Sequence, residues 1–479
     1  ITSHQGTDRI GQLIPQNIDR RILPNDIARL SVELPVVKDC RDEDYVVMEV
    51  NKAMLELRRN GGGPVHINLI TTYSRDFSVK ELPHVKVMRR FQAWDELPVL
   101  PEGRIGIYVG SHTHFSEKQN RAIDRFCATY DAVVICDHTS GYYGKYKLLP
   151  TLVQLQSDIT SPFPPLDLMV HIGEISAASF NDTIPAKEVW RVSEDGELRD
   201  PFKKLTTVFQ MSEEMFFLHY GKDGCNRHVL IDECRELFGE IYEQIPELPF
   251  CNIWTAMQLS SRLPKGALFH MGVSNTRRCW NMFQLPESVE SACNVGCCGI
   301  DGCVSTLVGA SLVNPDRLCY VVVGDLTFFY DLNSLGNHHI GTNLRVMLVN
   351  NGRGTEFRLG IHHCNVFGDD ADKYMAAAGH FGNKSPLLVK HYAEDLGFHY
   401  LSATTKEEFM TALSNFTNPQ LSDHSMILEV FTDSKDESEA LYLMSHIQSD
   451  AKGMVRSKLK DAVRNVAGEK GINAIKKIL

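Results

Sequence analysis

Two apolar runs, "LCYVVV" (318–323) and "LRVMLV" (344–349), constrain the fold more than any other feature of this 479-residue chain. Each has the length of a buried strand, and each ends in a polar turn: Gly324-Asp325 after the first, "NNGRG" (350–354) after the second. Between them, "LTFFYDLNSLGN" (326–337) carries Leu326, Phe329, Leu332 and Leu335 at helical spacing. A strand–helix–strand crossover closes right-handed, so the two strands are expected to be parallel and close. Asp325 and Asn351 then emerge at one carboxyl edge of a sheet, where α/β proteins bind ligands.

The same alternation recurs. "GRIGIYVG" (103–110), "AVVICD" (132–137) and "LDLMVHIG" (166–173) read as buried strands, with helices near 117–130 and 146–156. A second series has strands near 267–271, 319–323, 345–349 and 424–431. "DYVVMEVNKAMLELRRNGGGPVHINLI" (44–70) predicts a helix, a glycine stop and a strand. Parallel sheets flanked by helices follow from this order. "SEDGELRDPFKK" (193–204) and "KDGCNRH" (222–228) read as surface connections.

Composition excludes some classes. The formal net charge of −11 disfavours nucleic acid as the main partner. No run of about 18 apolar residues could span a membrane. The 13 cysteines show no disulfide-like framework and read as reduced thiols of a cytoplasmic protein. Cys293, Cys297, Cys298 and Cys303 cluster without a CxxC pair or a nearby histidine, so they read as small packing residues rather than zinc ligands.

The chemistry lies at the two polar turns. A carboxylate (Asp325), an amide oxygen (Asn351) and a backbone carbonyl (Arg353) suit a hard cation such as Mg2+, which takes its remaining oxygens from phosphates and water. N–H groups at the start of a helix over 327–337, with the Thr327 hydroxyl, suit those phosphates. Here the chain resembles the thiamine-diphosphate enzymes, whose signature is Gly-Asp-Gly followed some two dozen residues later by Asn-Asn. Leu326 replaces the third residue. That variant, with "YDLNSL" (330–335) and the Gly-rich "GCCGIDGCVSTLVGAS" (296–311), looks most like the menaquinone-pathway synthase that joins 2-oxoglutarate to isochorismate.

The resemblance implies a three-domain thiamine-diphosphate-binding α/β fold. Residues 1–84 would be the C-terminal half of a pyrimidine-binding domain, 85–245 a middle Rossmann-like domain, 246–434 the diphosphate-binding domain and 435–479 a helical extension. The family's activating Glu lies in the first half of the pyrimidine domain. No residue here takes that role, and the chain starts at Ile1 rather than Met, so that half is expected to be missing.

It also implies site residues. Gly324, Asp325, Leu326, Thr327, Asn351 and Ser274 would hold cofactor, and Asp325, Asn351 and the Arg353 carbonyl the metal. Ile300, with Cys298 as second choice, would support the bent cofactor. Arg278 in "SNTRRCW" (274–280) would take a substrate carboxylate, with Phe357 and Gln16 as further substrate contacts and Glu356 as acid/base or hydroxyl ligand. Val295, Ser179 and Phe180 stand where the family has cationic residues. That loss points to a decarboxylase or carboligase acting on a small 2-oxo acid such as pyruvate, with a neutral or hydroxylated acceptor. The menaquinone-pathway reaction and a non-catalytic subunit are the alternatives. A homodimer or dimer of dimers is implied. The basic residues 452–479 carry two apolar helical stripes, expected to pack on the protein itself or on a subunit partner.

Overall fold

The computed structural model describes residues 1–12, 19–21, 23–24, 26–72, 78, 80–81, 85–159, 163–174, 184–296, 298–360, 362–375, 382 and 384–449. The basic stripes of 452–479, and Gln16, Ser179 and Phe180, lie outside them.

In chain order the elements are β1 (Thr2–Gln5), β2 (Leu30–Leu34), α1 (Cys40–Glu56), β3 (Val65–Thr71), β4 (Arg89–Gln92), β5 (Ile105–Val109), α2 (Glu117–Tyr130), β6 (Val133–Ile135), β7 (Lys147–Leu148), α3 (Thr151–Leu155), β8 (Leu166–Ile172), β9 (Ala186–Val192), β10 (Leu205–Gln210) and α4 (Glu213–Tyr220). There follow α5 (Val229–Glu243), α6 (Asn252–Leu259), β11 (Leu268–Met271), α7 (Asn275–Trp280), β12 (Glu290–Cys293), α8 (Cys303–Val313), β13 (Cys319–Gly324), α9 (Asp325–Asp331), β14 (Leu344–Asn350), α10 (Leu388–Asp395), β15 (His399–Ala403), α11 (Lys406–Phe416), β16 (Met426–Phe431) and α12 (Ser434–Ser445).

Two compact units result. The first comprises Ile1–Ile105, Leu166–Ile172 and Ala186–Tyr220. Its β1, β3 and β2 pair in parallel, in that order. One face of this sheet buries Val32 and Leu34 against Ala53, Val46 and Val50 of α1. The helix starts where the Asp39 carboxylate accepts the N–H groups of Arg41 and Asp42. The glycines at 61–63 end the segment after it, Gly61 and Gly62 with positive φ. In the same unit, β10 pairs in parallel with both β4 and β9, and β9 with β8.

The second unit comprises Gly106–Pro165, Gly173–Pro185 and Gly221–Leu479. Here β5, β6 and β7 pair in parallel. A six-stranded parallel sheet runs β12-β11-β13-β14-β16-β15. Its central strands read "CYVVVG", "LRVMLVN" and "MILEVF" because helices cover both faces, as parallel sheets require. Val304, Leu307 and Val308 of α8, Phe328 of α9, and Val389 and Ala393 of α10 join Val321, Val323, Val346, Leu348 and Ile427 in one core. Arg345 is fully buried on β14, and its guanidinium donates to the Thr342 and Leu344 carbonyls and the Ser422 hydroxyl.

The α/β class and the parallel sheets agree with the sequence. Two local expectations do not. Residues 146–156 form the short β7 and the one-turn α3, not a helix throughout, because Pro150 interrupts between them. The helix expected over 327–337 begins at Asp325 itself, and after Asp331 it tightens to a 3-10 turn over Leu332–Gly336.

Candidate active site

The carboxyl edge of the six-stranded sheet gathers most of the residues singled out. Gly324 at the end of β13 is the register partner of Val349 on β14, so the Gly324–Thr327 turn and the 350–354 turn leave adjacent strands side by side. Gly324 caps α9, Asp325 and Thr327 are buried, and Leu326 is half-buried. Asp325 Oδ1 accepts the N–H of Leu326 at 2.7 Å, which fixes the carboxylate rotamer.

The second turn is held by a relay that begins on another strand. Glu429, 1% exposed on β16, accepts a hydrogen bond from the Tyr400 hydroxyl and one from Asn350 Nδ2, both at 2.7 Å. Asn350 Oδ1 in turn accepts the Gly352 N–H at 3.2 Å, an Asx-type turn. Gly352 supplies the positive φ of 80° that the turn needs, so Arg353 is spared that strain. The relay ties down Asn350. Asn351 Oδ1, by contrast, is buried without a hydrogen-bond partner among the described residues. A buried amide oxygen of this kind, beside a buried carboxylate on the neighbouring strand, is the donor set a hard cation takes. The Arg353 carbonyl accepts the Thr355 N–H at 2.9 Å and keeps a second lone pair.

Arg278 and Glu356 meet. Arg278 Nη1 and Nη2 donate to Glu356 Oε2 and Oε1 at 3.0 and 2.6 Å, a fork on a carboxylate. Burial pushes the Glu356 carboxyl up, but the Arg278 fork, the Ser274 hydroxyl and nearby His362 outweigh it and hold Glu356 below its usual range. Ser274 stands before α7 with φ 68°, ψ −125°. Phe357 packs edge-on against His362, with ring centroids 5.2 Å apart. Arg278 Nη1 also reaches Asn275 Oδ1 at 3.4 Å.

Behind this pair lies Glu437 of α12, 2% exposed. Its Oε1 accepts from the Asn252 N–H and the Thr432 hydroxyl at 3.0 and 2.8 Å, while Oε2 has no hydrogen-bond partner among the described residues. Burial raises this carboxyl to about 7.

The Gly-rich stretch before α8 borders the same edge. Val295 is buried, Ile300 is half-buried, and Cys298 is exposed with φ 53°, its N–H donating to the Val295 carbonyl. The described cysteines are all free thiols. Glu429, Tyr400, Glu437 and Arg277 went unread in the sequence. The two glutamates carried a faint signal, an acid inside the apolar strand "MILEVF" and one within an acidic helix start, where a solvated role is commoner.

No family model matches the chain. Curated relatives do. Over 460 residues, covering 90% of this chain and 79% of the relative, it is 28% identical to the 2-succinyl-5-enolpyruvyl-6-hydroxy-3-cyclohexene-1-carboxylate synthase of Bacteroides thetaiotaomicron. The synthase of the same name from Phocaeicola vulgatus is 28% identical over 466 residues, 90% of this chain and 78% of the relative. That from Christiangramia forsetii is 33% identical over 199 residues, 42% of this chain and 33% of the relative. The similarity runs through nine tenths of the chain.

Proposed function

We propose that this chain, similar throughout to those synthases, is a thiamine-diphosphate- and Mg2+-dependent carbon–carbon bond-forming enzyme of the menaquinone-pathway type, joining 2-oxoglutarate to isochorismate. The similarity favours this substrate pair over the small 2-oxo acid that the altered cationic positions suggested. The observation that carries the cofactor reading is the pairing of two strand ends at one sheet edge, with Asp325 buried on one and, on the next, Asn351 Oδ1 with no hydrogen-bond partner among the described residues.

Asp325, Asn351 and the Arg353 carbonyl would hold the metal. Gly324, Leu326 and Thr327 would meet the diphosphate, and Ile300, with Cys298 and Ser274 nearby, the rest of the cofactor. When bound, the cofactor supplies the nucleophilic carbon that decarboxylates a 2-oxo acid and passes the remainder to an acceptor. The chain's own contribution is positioning. Glu356, kept ionised by Arg278, is a hydrogen-bond acceptor at neutral pH and a poor proton donor. It fixes the orientation of Arg278, and Phe357 lines the turn beside it.

The assembly proposed is a homodimer or a dimer of dimers in the cytoplasm, which light scattering and fractionation would test. For the activity, the chain is incubated with thiamine diphosphate, Mg2+, isochorismate and either 2-oxoglutarate or pyruvate. CO2 release and the joined product are expected with 2-oxoglutarate. Turnover of pyruvate alone would restore the small-acid reading.

A further inference from the structure

The stretch "GIHHCN" (360–365) lies just beyond Glu356 and Phe357. The chain folds back on itself there. The Leu359 N–H donates to the Thr355 carbonyl at 3.2 Å, the His362 N–H to the Leu359 carbonyl at 2.9 Å, and the Asn365 N–H to the His362 carbonyl at 3.1 Å. This sets the His362 ring edge-on to Phe357, with an interplanar angle of 82°. It also brings the ring close enough to Glu356 to act on that carboxylate electrostatically. Glu356, Phe357 and His362 thus stand together on the loop that leaves the 350–354 turn.

The backbone fixes the state of the ring. His362 Nδ1 accepts the Cys364 N–H at 3.1 Å, so the side chain caps the 3-10 segment His363–Lys373. A backbone N–H can only donate. Nδ1 therefore presents a lone pair, and the neutral ring carries its proton on Nε2. That Nε2–H has no hydrogen-bond partner among the described residues. Of the three side chains, His362 alone offers a donor: Glu356 is held ionised by Arg278, and Phe357 has none. His362 is half-buried, while Asp325 and the Oδ1 atom of Asn351 are buried, so the ring stands on the solvent side of the metal turn. The acceptor of a ligation reacts after the donor acid has met the cofactor, so it arrives from that side.

We propose that His362 determines which acceptor is taken: its Nε2–H donates a hydrogen bond to a hydroxyl or carboxylate oxygen of the acceptor substrate. This rests on the proposed function and names a specificity residue for its second substrate. The Cys364 bond sets the ring in advance, so little ordering is left to do when the acceptor arrives. An acceptor without an oxygen in that place leaves the N–H unmet and is disfavoured.

The test is steady-state kinetics on the wild-type chain, His362→Asn and His362→Gln, with thiamine diphosphate, Mg2+, 2-oxoglutarate and isochorismate. Thiamine diphosphate is also titrated calorimetrically into each protein. The asparagine side chain keeps an oxygen to cap the Cys364 N–H but has no donor where Nε2 stood; the glutamine amide nitrogen reaches that place. His362→Asn is expected to lose about tenfold or more in kcat/KM for isochorismate, the order of one hydrogen bond. KM for 2-oxoglutarate and cofactor affinity stay within about twofold, which also shows that the variant is folded. His362→Gln should recover part of the loss. Unchanged kcat/KM for isochorismate in His362→Asn, with cofactor binding intact, would overturn this inference and leave the proposed function standing. An equal loss of cofactor affinity would make His362 a support of the turn and overturn it as well. Absence of joined product from the wild-type chain would overturn the proposed function on which it rests.

Discussion

Arg278 and Glu356, 78 residues apart in sequence, are joined by two hydrogen bonds of 3.0 and 2.6 Å with each side chain about one-fifth exposed. Removing one partner strands the other. Arg278→Ala should cost about 1–3 kcal/mol in denaturant unfolding, discounted for partial exposure, and Glu356→Ala a similar amount. The double variant should cost less than the sum. Additive losses would show that the pair is not coupled in solution.

The relay through Glu429 should be felt at the 350–354 turn, where the metal is proposed to sit. Glu429→Ala leaves Asn350 Nδ2 and the Tyr400 hydroxyl without their acceptor in a buried place, so a loss of about 2–4 kcal/mol is expected. Tyr400→Phe removes one donor and should cost about 1 kcal/mol. Glu429→Gln keeps the shape and one acceptor oxygen. It should fold, yet weaken Mg2+-dependent cofactor binding, because Asn350 no longer holds the Gly352 N–H in the same turn. Equal Mg2+ dependence in Glu429→Gln and wild type would remove the relay from the account.

Glu437 predicts a pH dependence with a definite sign. Its carboxyl is raised from 4.5 to about 7 by burial, so the folded chain binds a proton that the unfolded chain has released between those values. Stability from this group is full below about 4.5 and falls as pH rises from there through 7, by about 3 kcal/mol. Melting temperature measured from pH 5 to 8 should decline in wild type and decline less in Glu437→Gln. Identical slopes would exclude Glu437 as the source.

How far the sequence could be read depended on burial. Strands β13, β14 and β16 are near-continuous apolar runs because both faces are covered, and such runs are legible. The short β4, β7, β12 and β15 have mixed composition and pair at or near sheet edges, so they carry no such signal. Asp325 and Asn351 were legible as a pair because a crossover fixes where two consecutive strands end. Arg278 and Glu356 were each noticed alone. Nothing local in either segment encodes that they meet, because the contact is made by the order β11-β13-β14 in the sheet.

The central claim is that the edge formed by Asp325 and Asn351 holds a metal that carries thiamine diphosphate. The most direct measurement is a calorimetric titration of thiamine diphosphate into wild type, Asp325→Ala and Asn351→Ala, each with Mg2+ and with chelator. Wild type is predicted to bind with Mg2+ and to lose that binding in chelator, and both variants to lose about 100-fold or more in the presence of Mg2+, the loss of a charged or buried ligand. Binding by wild type that is indifferent to Mg2+, or unchanged in Asp325→Ala, would contradict it.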